Sequence, residues 1–277
     1  MKNEQDQPVF QNAAQAQAYA VYVECNQKRE TVNQKLSEIF DSSMSDLTFL
    51  EILNNLGADE NSVIIDLGAN LGQQIDSSLS VGSVVHAFEP HPKLFKYLER
   101  KYRDNKSVTL KKEAAGVENC NLRFFFKGEE SDINGGASLL PWKMLGGHVE
   151  ERLKKDTSAP HATVKSTDIS EYILNLEKNI KILKIDVEGF EYAILKKLIE
   201  TRAINRVEYI LFEDHSDSFL HVPWFNIALE ALSLFEENNL LENNSLPKVF
   251  MWQGVPTADA SLASEIEDLF ERDKNEA

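Results

Sequence analysis

The chain is short of cysteine, of cationic residues and of long apolar runs, and each shortage removes a class of protein. Its 277 residues hold two cysteines, Cys25 and Cys120. These form neither a metal-ligand spacing nor a disulfide framework, so two reduced thiols in a cytoplasmic protein are expected. No segment approaches the roughly 18 consecutive apolar residues that a membrane span requires. The start of the chain is polar, no apolar segment follows it, and no signal peptide is expected. Lysine and arginine number 29 against 45 aspartates and glutamates, a net charge of −16. Phosphate binding rests on cationic side chains, so nucleic acid and anionic membrane are excluded as partners. Much of the acidic excess lies at the two ends, which makes it a statement about solubility more than about substrate.

What remains is an ordinary globular composition, 42% hydrophobic and 27% charged, in a chain long enough to bury a substantial core. Residues 1–57 read as a helical N-terminal arm, rich in Ala, Gln, Lys and Glu between 10 and 40. This arm is expected to pack on the domain or on a second subunit, giving a homo-oligomer. Residues 58–253 alternate strands and helices. Strands are expected at 63–67, 84–88, 108–112, 122–126, 180–186, 207–212 and 249–252, with helices after most of them. That order implies an α/β fold with a mostly parallel twisted sheet and helices on both faces. Within it, residues 128–160 are irregular and punctuated by glycine, Pro141 and Trp142, the mark of a functional or disordered loop. Residues 254–277 form an acidic tail.

The densest signal is Val63-Ile-Ile-Asp-Leu-Gly-Ala-Asn-Leu-Gly72 followed by His86-Ala-Phe-Glu-Pro90. An apolar strand running into a glycine turn lets the backbone approach a ligand, because glycine has no Cβ. The second apolar run ends in Glu89, which lies 89 − 68 = 21 residues beyond Gly68. An acid about 20 residues past the first glycine turn can accept hydrogen bonds from ribose hydroxyls. The turn is G-x-x-x-G without the third glycine of a dinucleotide site, and the Gly-Lys-Ser/Thr of a P-loop is absent. A cofactor with ribose and no phosphate fits, and S-adenosylmethionine is such a cofactor. The plain alternative is an ordinary strand-turn-helix corner, against which Glu89 weighs.

Further blocks follow in order: Gly135-Gly-Ala-Ser-Leu139, Lys184-Ile-Asp-Val-Glu-Gly-Phe-Glu191 and Leu211-Phe-Glu-Asp-His215. Together with the glycine turn and Ala87-Phe-Glu-Pro90 they resemble the FkbM family of S-adenosylmethionine-dependent methyltransferases, over roughly residues 60–220. Ile75 departs from the pattern, which has a polar residue at the start of that helix. The resemblance implies a Rossmann-like class I methyltransferase fold, a small-molecule hydroxylated acceptor such as a sugar or secondary metabolite, and an acceptor pocket shaped by 128–160.

Ligands of open α/β sheets lie beyond the carboxyl ends of the strands. For the cofactor this selects Asp66, which can hold the turn or the methionine ammonium. Gly68 and Gly72 allow backbone approach, Asn70 fixes the loop and Glu89 takes the ribose. Glu113 and Ala114, at the end of the third strand, would meet adenine. Removing an acceptor's proton needs a base within hydrogen-bond reach. Asp186 leads by position, His215 is the better base at neutral pH, and Glu188 orients the loop or reacts. Glu191, Glu213 and Asp214 are further candidates. These groups could also hold a hard cation such as Mg²⁺, but their spacing fits no metal loop and no metal site is assigned. A non-catalytic binding module and an N-methyltransferase remain as alternatives.

Overall fold

A computed structural model of the chain describes residues 13–126, 137–140, 161–216, 222–237 and 247–252. Helices α1 (Ala13–Ile39) and α2 (Phe49–Asn55) lead into β1 (Val63–Leu67), α3 (Gln73–Ser80), β2 (Val84–Phe88), α4 (Pro92–Tyr102) and β3 (Val108–Lys111). Three strands come next: β4 (Ala114–Gly116), β5 (Cys120–Phe125) and β6 (His161–Asp168). The chain then alternates again through α5 (Ile169–Leu174), β7 (Ile180–Ile185), α6 (Glu191–Glu200), β8 (Val207–Phe212), α7 (Val222–Glu237) and β9 (Lys248–Met251).

Six strands form one parallel sheet in the order β3-β2-β1-β7-β8-β9. The chain steps outward from β1 to β3 and returns to the other side of β1, so strand order reverses between β1 and β7, the place where such sheets bind ligands. Parallel strands covered on both faces read as near-continuous apolar runs, and all five residues of β1 are buried. Two buried charges break the pattern. Asp66 and Lys184 stand opposite each other across β1 and β7.

Alternation along the strands divides the core into two layers. Ile65, Leu67, Leu183, Ile185 and Phe212 face one layer, built with α1, α6 and α7. Ile64, Ile182, Leu211 and Phe250 face the other, closed by Phe49, Ile52 and Leu53 of α2. Helix α2 is set by a reciprocal cap, in which Thr48 accepts from the Glu51 backbone and Glu51 reaches back to Thr48, satisfying two otherwise orphaned donors. Of the two expectations for the N-terminal arm, packing on the domain is what the described residues display. Cys25, Val32 and Leu36 are buried in the first layer, and the Phe40 ring meets Phe212 and Phe235 edge-on at 5.1 Å.

Strand β6 and helix α5, and with them a small second sheet in the order β4-β6-β5, come in addition to the expected elements. Strand β6 alternates exposed and buried positions and carries Lys, Ser, Thr and Asp, so it has no apolar run to announce it. The third strand ends at Lys111, and Ala114 begins β4 in the second sheet. Ile75 is fully buried against Val85 and Leu98. An apolar side chain there faces the core. Most of 128–160, including Trp142, and all of 254–277 lie outside the described residues.

Candidate active site

The strands of the main sheet end level. Leu67 is in register with Phe88 on one side and with Ile185 on the other, and Ile185 with Phe212. The ladder continues one residue further, with the Glu89 N–H donating to Lys111 O, Asp186 N–H to Leu67 O and Glu213 N–H to Ile185 O, at 3.0–3.1 Å. Gly68, Glu89, Asp186 and Glu213 therefore stand in a row on the carboxyl rim of the sheet.

A cleft of about 630 Å³, open mouth included, lies over this rim and is lined by Gly68, Asn70, Glu89, Ala114, Asp186 and Glu188 among others. Leu94, Ala115, Phe124, Ala137 and Leu139 form its apolar wall. Among the described lining residues there is no lysine or arginine.

The glycine turn closes the cleft's floor. Gly68 sits at φ +87°, and a Cβ there would stand 1.9 Å from the Asp186 carbonyl oxygen, so only glycine lets the two strand ends meet. Glu89 is 4% exposed. One of its oxygens accepts the Asn70 N–H at 2.8 Å and the other the His91 N–H at 2.7 Å. Burial pushes this carboxyl up to about 7, against the lowering effect of those two bonds.

Over the region 66–237 the sequence matches the model of the methyltransferase FkbM domain. The chain belongs to the FkbM methyltransferase family. No curated protein and no solved structure matches it.

The FkbM domain places the remaining selected residues in two groups. Asp66, Gly72 and Glu113 stand behind the cleft wall rather than on it. Asp66 is fully buried, its carboxylate 3.1 Å from the Lys184 ammonium, which also reaches Asp186 at 3.3 Å and donates to Gly68 O at 2.8 Å. Burial pushes the Asp66 carboxyl up. Burial also opposes the charge on Lys184, but Asp186 and Asp66 outweigh it and hold the ammonium above its ordinary range. Gly72, at φ +80°, packs under Tyr102, where a Cβ would lie 2.6 Å from the phenol oxygen. Glu113 points into the second sheet, bonded to Lys165 at 2.6 Å and to the Thr167 hydroxyl. Burial would raise its carboxyl, and these partners hold it below its ordinary range instead.

The other group gathers at the mouth. His215 Nε2 lies 3.4 Å from Glu188 Oε2 and 3.7 Å from Glu213 Oε1. Its Nδ1 is 2.9 Å from Glu191 Oε1, which also accepts the N–H groups of Val187 and Gly189. Burial, then the Asp186 charge, pushes the Glu213 carboxyl up. Asp214 is engaged elsewhere, with the Tyr192 hydroxyl at 2.7 Å and Ser216. Glu188 has φ +61°, a conformation that costs a non-glycine residue on the order of 1 kcal/mol or more. Its carbonyl accepts from Ser138 Oγ at 2.7 Å, and Ser138 also bridges to Phe125. The Gly-Gly-Ala-Ser-Leu block thus ties the cleft wall to the Asp-Val-Glu-Gly turn. Lys184 and Ser138, like His91 and the apolar wall, join the site without having been expected there from the sequence. For Lys184 the signal was present, as a charge inside a strand whose other inward residues are apolar.

Proposed function

We propose that this FkbM methyltransferase uses S-adenosylmethionine to methylate a hydroxyl of a small acceptor, a sugar or another secondary metabolite, in the cytoplasm. The observation that carries the reading is Glu89, a buried carboxylate on the cleft floor that already accepts one backbone N–H on each oxygen and keeps a lone pair on each for a ribose diol. The apolar wall suits an adenine face. The lack of lysine and arginine among the described lining residues suits a cofactor without phosphate and with positive charge. Two free thiols, Cys25 and Cys120, agree with a reducing compartment.

The cofactor supplies an electrophilic methyl group on a sulfonium. Glu89 would orient the ribose, Asn70 and Gly68 would present backbone to the ligand, and Ala114 would lie against the base. Asp186 and Glu188 would complement the charge of the sulfonium, and with His215 they form the polar edge that would orient the acceptor hydroxyl, one of the three taking up its proton. Methyl transfer is an in-line displacement that depends mostly on such positioning.

Calorimetric titration of the wild type and of Glu89→Ala with S-adenosylhomocysteine tests the reading. Micromolar binding that weakens by at least about 100-fold in the variant is expected, since two charge-assisted bonds are lost. Equal affinity in both proteins, or no binding to the wild type, would overturn it.

A further inference from the structure

We infer that Asp186, Glu188 and His215 form a site for one divalent cation of the Mn²⁺ or Mg²⁺ class at the cleft mouth, with Glu191 as the positioning residue of the histidine. This deepens the methyl-transfer reading and rests on it only for the site's use, because cation binding is measurable by itself.

Each of the three residues offers one ligand atom, and these atoms all lie within 4.8 Å of one another. Ligands on a small divalent cation, at bonds of about 2.1 Å, are separated by about 3 Å when adjacent and about 4.2 Å when opposite. The three atoms therefore need less than roughly an ångström of adjustment to converge on one ion. Asp186 and Glu188 keep 27% and 26% of their side-chain surface exposed, which leaves room for water or an acceptor oxygen as further ligands.

The histidine is the decisive member. Glu191 Oε1 accepts two backbone N–H bonds, at 3.1 Å from Val187 and 3.0 Å from Gly189. Its lone pairs face those two donors, and the imidazole Nδ1 stands 2.9 Å away as a third. In a neutral ring Nε2 is then the bare nitrogen, and it faces Glu188 and Glu213. Oxygen and imidazole lone pairs turned toward one point are the arrangement that a divalent cation binds. A histidine that gives its second N–H to a carboxylate outside the ligand set is the usual support of a metal-bound imidazole.

Glu191 itself points the same way. Its side chain is fully buried, and its Oε2 has no hydrogen-bond partner among the described residues. An enclosed carboxylate of this kind calls for positive charge on its neighbour, which the imidazole supplies when Nε2 carries a proton or a cation. Lys184 does not serve that purpose, since its ammonium is divided between Asp66 and Asp186. A mixed carboxylate and imidazole set suits Mn²⁺ and tolerates Mg²⁺.

Mn²⁺ is the probe, titrated by electron paramagnetic resonance into the untagged full chain after chelator treatment. One saturable site is expected, with pulsed spectra showing ¹⁴N coupling from a single imidazole and with Mg²⁺ competing. His215→Ala should abolish the site, and Glu191→Gln should weaken it by about 10- to 100-fold, as loss of such a support does. Absence of a saturable site, or a site without nitrogen coupling, would overturn the inference; the coupling is read on the wild type and so stands even if a variant misfolds. S-adenosylhomocysteine titrated in parallel separates the two readings. Its binding without Mn²⁺ binding removes the cation and leaves methyl transfer, whereas Mn²⁺ binding without it supports the cation and removes the cofactor assignment.

Discussion

Glu89 shows how one buried acid links stability to ligand binding. Its carboxyl is raised from 4.5 to about 7 in the folded protein, mainly by burial. Between those values the native state holds a proton that the unfolded state has lost. Stability contributed by this group is therefore complete below about pH 4.5, falls as pH rises toward 7, and is flat above, a loss of roughly 3 kcal/mol. Urea unfolding of the wild type against Glu89→Gln across that window should show the difference, and parallel curves would contradict it. A ribose diol donates to the ionised form, so S-adenosylhomocysteine should release a proton on binding below pH 7. Its affinity should be about tenfold weaker at pH 6 than above pH 8, with proton release visible as buffer-dependent calorimetric heat.

Lys184 makes the opposite kind of contribution. It is 2% exposed at the side chain and serves Asp66, Asp186 and Gly68 O together. Lys184→Met should cost about 3–5 kcal/mol, because it leaves Asp66 enclosed without a counter-charge. Adding Asp66→Asn should restore a good part of that in urea unfolding. A single variant within about 1 kcal/mol of wild type would show the pair to be dispensable.

At the scale of elements, the unit that matters is β1, its glycine turn and α3, held against the end of β7. Gly68 is its tightest point, with the Asp186 carbonyl where a Cβ would be. That oxygen belongs to backbone and cannot swing aside. Gly68→Ala should therefore push the turn off β7, displace Asn70 and Asp186 together, and abolish S-adenosylhomocysteine binding while circular dichroism stays near native. Retained affinity would mean that the two strand ends are not coupled. The same scale explains what the sequence discloses. The glycine turn and Glu89 were legible because an apolar run, a glycine and an acid at a fixed offset are local signals. The β4-β6-β5 sheet was not, because β6 has no apolar run and β4 spans three residues, Ala114–Gly116.

At the scale of the molecule, the part of the site hidden in the sequence is the part that depends on strand pairing. Asp186 and His215 are far apart in the chain and meet only because β7 and β8 are adjacent and end in register. No spacing rule encodes that, which is why a search for a metal loop finds nothing. Glu113 and Asp66 illustrate the converse. Both lie at or next to strand ends and look equivalent in the sequence, yet one turns into the second sheet and the other toward Lys184. Which way a rim residue faces is decided by the neighbour it finds, not by its offset.

The level strand ends also bear on how such a chain can change over time. Because each acid of the rim hangs one residue past its strand, the sheet acts as a ruler with its zero at the carboxyl edge. Residues gained or lost in a connection leave the marks where they are. A single residue gained or lost inside β1, β2, β7 or β8 moves one mark by a pleat and turns its side chain to the opposite face. Length variation is thus costly on the ruler itself and in the short turns that carry Asn70, Glu188 and His215, and is best accommodated in the connections away from the rim.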